Sequence, residues 1–211
     1  MRSASRPARL RRIGASLLLL LAALAPPAFA QETLRSYILV ARPGLPDPNF
    51  SETVVLVSHL EGRHTIGVIL NRPTDESLST LLPGDRFRNF RDPVHIGGPV
   101  ERNALVAVFQ ADKPPGEAFA IMPGLFLTTH PGTIDELLAR PPAGLRLFTG
   151  YAGWAPGQLA AEIARRDWLV LKPAADIAMR RDTSKLWREL IDRMRSTRAS
   201  ATAACAPACR G

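Results

Sequence analysis

Two short motifs could together bind an anion. Asn71-Arg72-Pro73 ends an apolar run, where an exposed guanidinium can bind a carboxylate or phosphate through two parallel hydrogen bonds. Gly97 and Gly98 could present backbone N–H groups to the same anion. A structural alternative stays open, in which Asn71 satisfies loose backbone groups, Arg72 forms an ion pair and the glycines make a tight turn. The candidate binding residues here are Asn71, Arg72, Gly97 and Gly98.

The segment GYAGWAPGQL, residues 150–159, directly follows the apolar run Leu145–Phe148. Its three glycines predict a corner at which two segments approach closely, and Pro156 suits the first turn of a following helix. Tyr151 and Trp154 could line a pocket at this corner. Large aromatic side chains beside glycines also pack into cores, and that alternative stays open.

Catalytic arrangements are scarce. Ser58 and His59 are adjacent on a predicted strand, so their side chains point to opposite faces. The chain has no Gly-x-Ser-x-Gly, His-Glu-x-x-His or phosphate-loop motif. His59 and His64 flank a predicted hairpin tip, but a zinc site normally needs three or four ligands. We therefore expect a protein that is not an enzyme and holds no metal or cofactor.

The N-terminus has the three parts of an export signal. Five arginines precede the apolar stretch Ile13–Ala25, and Ala28-Phe29-Ala30 forms a cleavage site. Residues 1–30 are therefore predicted to be a cleavable signal peptide of a periplasmic protein that starts at Gln31. The apolar stretch is shorter than the roughly 20 residues of a membrane span, so no span is expected after cleavage. The alternative is a wrong gene start, with a cytoplasmic protein beginning near Tyr37.

Charge argues against nucleic acid as a partner. The net charge is +8, but five basic residues lie in the signal and the last four lie beyond Asp192. The body between them carries nearly balanced charge, whereas nucleic-acid binding draws its affinity from concentrated cations. Two local basic clusters are exceptions, namely Arg165-Arg166 and a cluster in which Arg86, Arg88 and Arg91 are interleaved with two phenylalanines. That cluster could clamp a single strand, and a solvated loop is the alternative.

Strand-like runs outnumber helix-like ones, which predicts a mixed, largely antiparallel sheet with helices packed on it. The apolar, β-branched runs are Tyr37–Ala41, Thr53–Ser58, Thr65–Leu70, Ala104–Phe109, Ala118–Met122, Leu125–Thr129, Leu145–Phe148 and Trp168–Lys172. The predicted helices are a short one at Glu76–Leu82, one at Ile134–Ala139 behind the capping box Thr133-Ile134-Asp135-Glu136, one at Pro156–Arg165, and one beginning near Thr183 or Ser184.

The C-terminal residues 196–211 have no apolar periodicity and are predicted to be a disordered tail. Cys205 and Cys209 lie in this tail. In an oxidising periplasm they could close a small disulfide, or one thiol could bridge two chains.

An ordered set of motifs spans residues 36–194. It comprises LVARPGLPDPNF (39–50), TVVLVSH (53–59), IGVILNRP (66–73), IGGPV (96–100), LFLTT (125–129), GYAGWAPGQL (150–159), WLVLKPA (168–174) and DTSKLWREL (182–190). In this order the chain resembles the bacterial YqgE/AlgH family. The resemblance implies a single α/β domain over residues 31–195, in which a bent mixed sheet curls toward a pseudo-barrel flanked by helices. It implies no established enzymatic activity, and the family label is transcriptional regulator.

Three features depart from the family pattern. Members usually lack an export signal, many have Cys-Glu-His where this chain has Ser58-His59-Leu60, and many have Ala-Met-Pro where it has Ala41-Arg42-Pro43. The function expected from the sequence is therefore an exported binding, regulatory or adaptor protein. Its expected partner is an unidentified protein or a small anionic ligand. The alternatives are a cytoplasmic transcriptional regulator and, more remotely, a hydrolase in which one histidine meets a carboxylate or hydroxyl in a pocket.

Overall fold

The computed structural model of the chain describes residues 36–59, 64–81, 87 and 93–205. Within these residues the elements are, in chain order, β1 (Ser36–Ala41), β2 (Val54–His59), β3 (Thr65–Ile69), β4 (Pro73–Ser77), α1 (Leu78–Leu81), β5 (Pro93–Ile96), β6 (Val100–Gln110), β7 (Phe119–Met122), β8 (Leu125–Thr128), α2 (Pro131–Ala139), β9 (Leu145–Trp154), α3 (Gln158–Ala164), β10 (Trp168–Leu171), α4 (Ala175–Ala178) and α5 (Leu186–Cys205). Each predicted strand run and helix overlaps one of these elements.

The strands form one sheet in the order β10-β1-β2-β3-β9-β6-β8-β7. Every pairing along this path is antiparallel. β5 lies off the path, parallel to β9 and antiparallel to β4. The sheet curls into a half-barrel flanked by helices in a single domain of mixed α/β content. This architecture confirms the predicted fold class.

β9 is the strand at which the two halves of the sheet meet. Its first part pairs with β6 on one edge and with β5 on the other, and its last part, residues 152–154, pairs with β3. The predicted strand ended at Phe148, but the observed strand continues through Gly150, whose φ is +68°. The register of β6 shifts opposite this glycine. The extra residues of this irregular pairing lie in β6, between Val100 and Leu105, and the positive φ of Gly150 lets β9 continue past them.

β1 is buried on both faces of the sheet. Ile38 and Val40 belong to a cluster that α5 covers, whereas Leu39 and Ala41 belong to a second cluster that includes Leu159 of α3. A strand covered on both faces needs no polar alternation, which explains the continuous apolar run in its sequence. A third cluster packs α2 against β6 and the start of β9.

The end of β5 and the middle of β9 approach too closely for side chains to lie between them. A Cβ atom on Gly97 would lie 2.2 Å from the carbonyl oxygen of Gly150. The Gly97 N–H donates to Thr149 O, and the Gly97 carbonyl accepts from Ile69 N, both at 2.8 Å. Glycine at position 97 therefore allows the backbones of three segments to bond to one another.

α2 begins earlier than its capping box predicts. The helix starts at Pro131, and the N-cap is His130, whose side chain accepts a hydrogen bond from Thr133 N. The Thr133 hydroxyl instead donates to the carbonyl oxygen of Glu117 at 3.2 Å. Because proline in the first helical turn gives up no intrahelical hydrogen bond, Pro131 is compatible with the earlier start. The Thr133 cap prediction was wrong.

α5 continues to Cys205, well past the predicted start of a disordered tail at Ser196. That boundary is corrected for residues 196–205, while residues 206–211 lie outside the described residues. The segment is rich in alanine and contains neither glycine nor proline before Pro207, so its composition favours a helix. Of the helices described, none combines the length and apolar character of a membrane span.

We expect Gly97→Ala to lower the free energy of unfolding by about 3 kcal/mol, because the added methyl group collides with rigid backbone. Gly153→Ala is the matched control in β9, since its Cβ would meet nothing closer than 3.6 Å. Urea denaturation of both variants checks this expectation. Similar midpoints for the two variants would show that the close crossing of β5 and β9 is not required.

Candidate functional site

The side chain of Asn71 forms hydrogen bonds with the backbone at the start of β2 and just before it. Its side-chain oxygen accepts from Val54 N and its side-chain nitrogen donates to Glu52 O, both at 2.8 Å. The neighbouring Arg72 donates from Nη2 to Pro48 O at 3.2 Å. The geometry of Asn71 therefore agrees with the structural alternative, in which this side chain satisfies backbone groups.

The other predicted binding residues do not converge on one pocket. A Cβ on Gly98 would lie 2.3 Å from the carbonyl of Tyr151, so this glycine also serves the backbone crossing. The Tyr151 hydroxyl donates to Glu101 Oε1 at 3.1 Å, and Trp154 Nε1 donates to Glu162 Oε2 at 2.9 Å. Tyr151 packs against the cluster that α5 covers, whereas Trp154 is buried in the cluster around α3. The two aromatic side chains therefore belong to opposite faces of β9.

Several predicted features lie wholly or partly outside the described residues. They are the signal peptide, the hairpin tip at residues 60–63, the arginines Arg86, Arg88 and Arg91, and Cys209 together with the side chain of Cys205. Phe87, within the arginine cluster, is buried in the third core cluster. The described residues contain no group of three or more His, Cys, Asp or Glu side chains arranged to hold a metal ion.

A cavity of about 380 Å³ lies between β5, the start of β9 and the segment after α4. Pockets for small molecules begin at roughly 300 Å³, so this cavity is large enough for one. None of its described lining residues is acidic. The polar lining consists of Arg146, Arg181, His95 and Gln110, set among apolar side chains that include Leu145 and Met179.

Arg146 is a buried charge at this cavity, with 6% of its surface exposed. Its Nη1 donates to Ala178 O at 2.7 Å and its Nη2 to Leu70 O at 2.8 Å, which ties β9 to α4 and to the end of β3. Its Nε has no hydrogen-bond partner among the described residues, and none of the carboxylates described there pairs with this guanidinium. Burial lowers the pKa of Arg146 to about 10, so the side chain remains charged at neutral pH.

His95 lies beside Arg146 on the same face of the sheet. It pairs with Phe148 in the parallel ladder, and the two ring centroids are 5.5 Å apart. Burial and the charge of Arg146 lower the pKa of His95 to about 4, while the nearby Pro93 carbonyl acts in the opposite direction. That carbonyl does not meet hydrogen-bond geometry, so both ring nitrogens lack partners within the described part of the chain. The ring is neutral at pH 7 and offers one donor and one acceptor.

This arrangement can hold a small anion. Nη1 and Nη2 of Arg146 each make one hydrogen bond and each keep a second N–H group, while the Nε–H is enclosed by the protein and the side chain keeps its full positive charge. Arg181 is exposed at the cavity and adds a second positive charge near its opening. Sequence reasoning missed the site, because an arginine within Leu145–Phe148 looks like the solvent-facing member of an alternating strand. The signal in the sequence that could have revealed the site is a charged residue within a short run that is otherwise apolar and therefore expected to be buried.

His59 makes hydroxyl contacts of the kind that the hydrolase alternative requires. Its Nε2 lies 2.7 Å from the Tyr37 hydroxyl, and its Nδ1 lies 2.7 Å from Thr65 Oγ1. Burial raises the pKa of Tyr37 to about 12, which keeps this hydroxyl protonated. When Tyr37 donates to Nε2, Nδ1 carries the proton and donates to Thr65, so the imidazole does not activate Thr65 as a nucleophile. His59 is also absent from the described lining of the large cavity.

We expect the stability gained by His95→Leu to grow as the pH falls. The pKa of His95 is about 4 in the folded state and 6.5 in the unfolded chain, so the unfolded state binds more protons between these values. The contribution of neutral His95 to the free energy of unfolding of the wild type is fully present above pH 6.5 and is lost as the pH falls towards 4. Urea denaturation should show the difference between variant and wild type increasing by about 2 kcal/mol. A difference independent of pH would mean that His95 titrates normally.

Comparison with known proteins places the chain in a family. Residues 38–199 match the family described as AlgH-like. A UPF0301 protein of Streptomyces avermitilis is 36% identical over 172 residues, covering 78% of this chain and 88% of the relative. A UPF0301 protein of Myxococcus xanthus is 35% identical over 154 residues, covering 71% and 84%.

Two solved structures share the fold. The solution structure of the AlgH protein from Pseudomonas aeruginosa matches with a TM-score of 0.60 and 24% identity, over 78% of this chain and 88% of the other. The crystal structure of protein DIP2367 from Corynebacterium diphtheriae matches with a TM-score of 0.61 and 26% identity, over 74% and 85%. The family match covers most of the described domain and agrees with the motif resemblance, and the chain therefore belongs to the AlgH-like family.

Proposed function

We propose that the protein is an exported, non-enzymatic binding or adaptor protein whose ligand is a small anion held at Arg146. The observation that carries the proposal is a buried guanidinium beside a cavity, with no carboxylate partner among the described residues. Burying a charge without a counterion costs a free energy on the order of several kcal/mol, because the charge loses its hydration. An anion that enters the cavity offsets this cost, and its binding stabilises the folded state.

The surroundings of Arg146 favour an anion over a cation. The described lining of the cavity contains two arginines and no acid, so the local potential is positive. Arg181 is exposed and can attract a diffusing anion before it reaches the buried guanidinium. Gln110 adds an amide that can donate to a bound oxygen.

The same lining supports binding without a reaction. The described residues around the cavity include no Ser, Thr, Cys, Lys, Asp, Glu or Tyr, so they supply no ordinary nucleophile. The low pKa of His95 makes it a weak base at neutral pH, where efficient general bases have a pKa near the working pH. A protein partner could bind the occupied and the empty protein with different affinities. The protein would then act as an adaptor.

Calorimetric titration with phenylacetate tests the anion site. We expect saturable binding to the wild type and at least about tenfold weaker binding to Arg146→Lys, because lysine lacks the planar set of donors that Arg146 presents. Arg181→Gln should weaken binding several-fold, and more strongly at low salt, through the lost surface charge.

Arg165→Lys is the control, because Arg165 forms an exposed ion pair with Asp167 and does not line the cavity. Circular dichroism establishes that each variant is folded. Absence of saturable binding to the wild type, or equal binding by wild type, Arg146→Lys and Arg181→Gln, would contradict the proposed site.

Export is tested separately by cell fractionation and N-terminal sequencing of the native protein. We expect a periplasmic chain that begins at Gln31, because residues 1–30 contain the basic, apolar and cleavage regions of a signal in order. A cytosolic chain that begins near Tyr37 would contradict export. The family label of transcriptional regulator would then become the leading functional hypothesis.

A further inference from the structure

We propose that the ligand of the Arg146 cavity is a monocarboxylate with an apolar chain, whose carboxylate lies at the guanidinium of Arg146 and whose chain lies against Leu145 and Met179. The inference rests on the anion-binding function proposed above and names the chemical class of its ligand. Two observations carry it, namely the gradient of exposure along the lining of the cavity and the apolar side chains in that lining.

The residues that line the cavity differ in their exposure, and this gradient orients a ligand. Arg146 is 6% exposed and marks the deep end. Leu145 and Met179 are half-buried, whereas Pro93 and Ala143 are exposed and mark the opening. A head group at the guanidinium therefore places the rest of the ligand against the half-buried apolar side chains. The far end of a long chain then emerges into solvent.

The deep end of the cavity suits the two oxygens of a carboxylate. Nη1 and Nη2 of Arg146 each donate one hydrogen bond to a backbone carbonyl and each keep a second N–H group. A carboxylate has two acceptor oxygens, and its hydrogen bonds with a guanidinium are strengthened by the charges on both partners. The head group needs no contact with the enclosed Nε–H group.

The near-complete burial of Arg146 favours a head group with a single negative charge. An anion that approaches this side chain loses most of its water. The desolvation cost of an ion grows with the square of its charge, whereas its attraction to a guanidinium grows linearly. A dianion therefore costs about four times as much to desolvate as a monoanion and gains about twice the attraction. A carboxylate suits this site better than a phosphate monoester dianion.

The apolar lining favours a ligand with a chain over a bare ion. A small inorganic anion at Arg146 would leave Leu145 and Met179 in contact with water in a cavity of about 380 Å³. Each methylene group that covers these side chains removes apolar surface from water and stabilises the complex. The affinity of a carboxylate should therefore increase with the length of its chain.

The first experiment is a calorimetric titration of the wild-type protein with butyrate, hexanoate, octanoate and decanoate, which share one head group. We expect the affinity to rise about threefold for each added methylene group at the start of the series. The affinity should then level off, because methylene groups beyond the opening remain in water.

The second experiment changes the head group and keeps a chain of similar length. Hexyl phosphate should bind more weakly than hexanoate, because its head group is a dianion at neutral pH. Hexanol and hexylammonium should show no saturable binding, because neither carries a negative charge for Arg146.

Met179→Gln and Met179→Leu locate the chain. The ratio of hexanoate to butyrate affinity should be about ten in the wild type and about three or less in Met179→Gln, because glutamine has nearly the shape of methionine but a polar end. Met179→Leu keeps an apolar side chain and should retain most of the ratio. Met194→Gln is the control, because Met194 is half-buried in α5 and does not line this cavity. Circular dichroism establishes that each variant is folded.

The outcomes separate the two proposals. Equal affinities across the carboxylate series, or an unchanged ratio in Met179→Gln, overturn the apolar chain but leave anion binding in place. Tightest binding by hexyl phosphate overturns the preference for a monoanion, and a sharp loss of binding for decanoate overturns the outward direction of the chain. If no anion binds, or if hexanol binds as tightly as hexanoate, both the inference and the proposed anion-binding function fail.

Discussion

The backbone contact between Gly97 and Gly150 is the constraint on which the rest of the structure depends. It allows β9 to pair with β6 and β5 along its first part and with β3 along its last part. The inner face of β9 is thereby enclosed, and Arg146 and Phe148 lie on that face. The burial of a charge in this protein is thus a consequence of its sheet topology.

Arg146 joins the architecture to the candidate function. Its two hydrogen bonds to backbone carbonyls link β9 to the end of α4 and to the end of β3, so the side chain helps to hold these elements together. Those bonds leave the positive charge without a counterion among the described residues. A guanidinium that is fixed in position and incompletely neutralised is organised for an anion before the anion arrives. His95 lines the same cavity, and its lowered pKa keeps its ring neutral at pH 7.

The sequence could predict the elements whose apolar runs are long and buried, and it missed those defined by long-range contacts. β1, β2 and β3 carry continuous apolar runs because both faces of the sheet cover them. β4, at residues 73–77, is polar and begins with proline, so only its pairing with β5 makes it a strand. Asn71 and Gly97, which the sequence suggested as binding residues, instead organise the backbone. Arg146 was not predicted, because strand alternation predicts an exposed side chain at its position.

The central claim is that the guanidinium of Arg146 takes an anion as its missing partner. Nitrogen-15 NMR of the Arg146 Nε–H group, assigned by comparison with Arg146→Lys, observes this guanidinium directly during a titration with phenylacetate. The account predicts that the Nε–H resonance moves as the ligand saturates the site, because the charge of the anion polarises the whole guanidinium. A resonance that stays unchanged while phenylacetate binds elsewhere, or while it does not bind at all, would contradict the account.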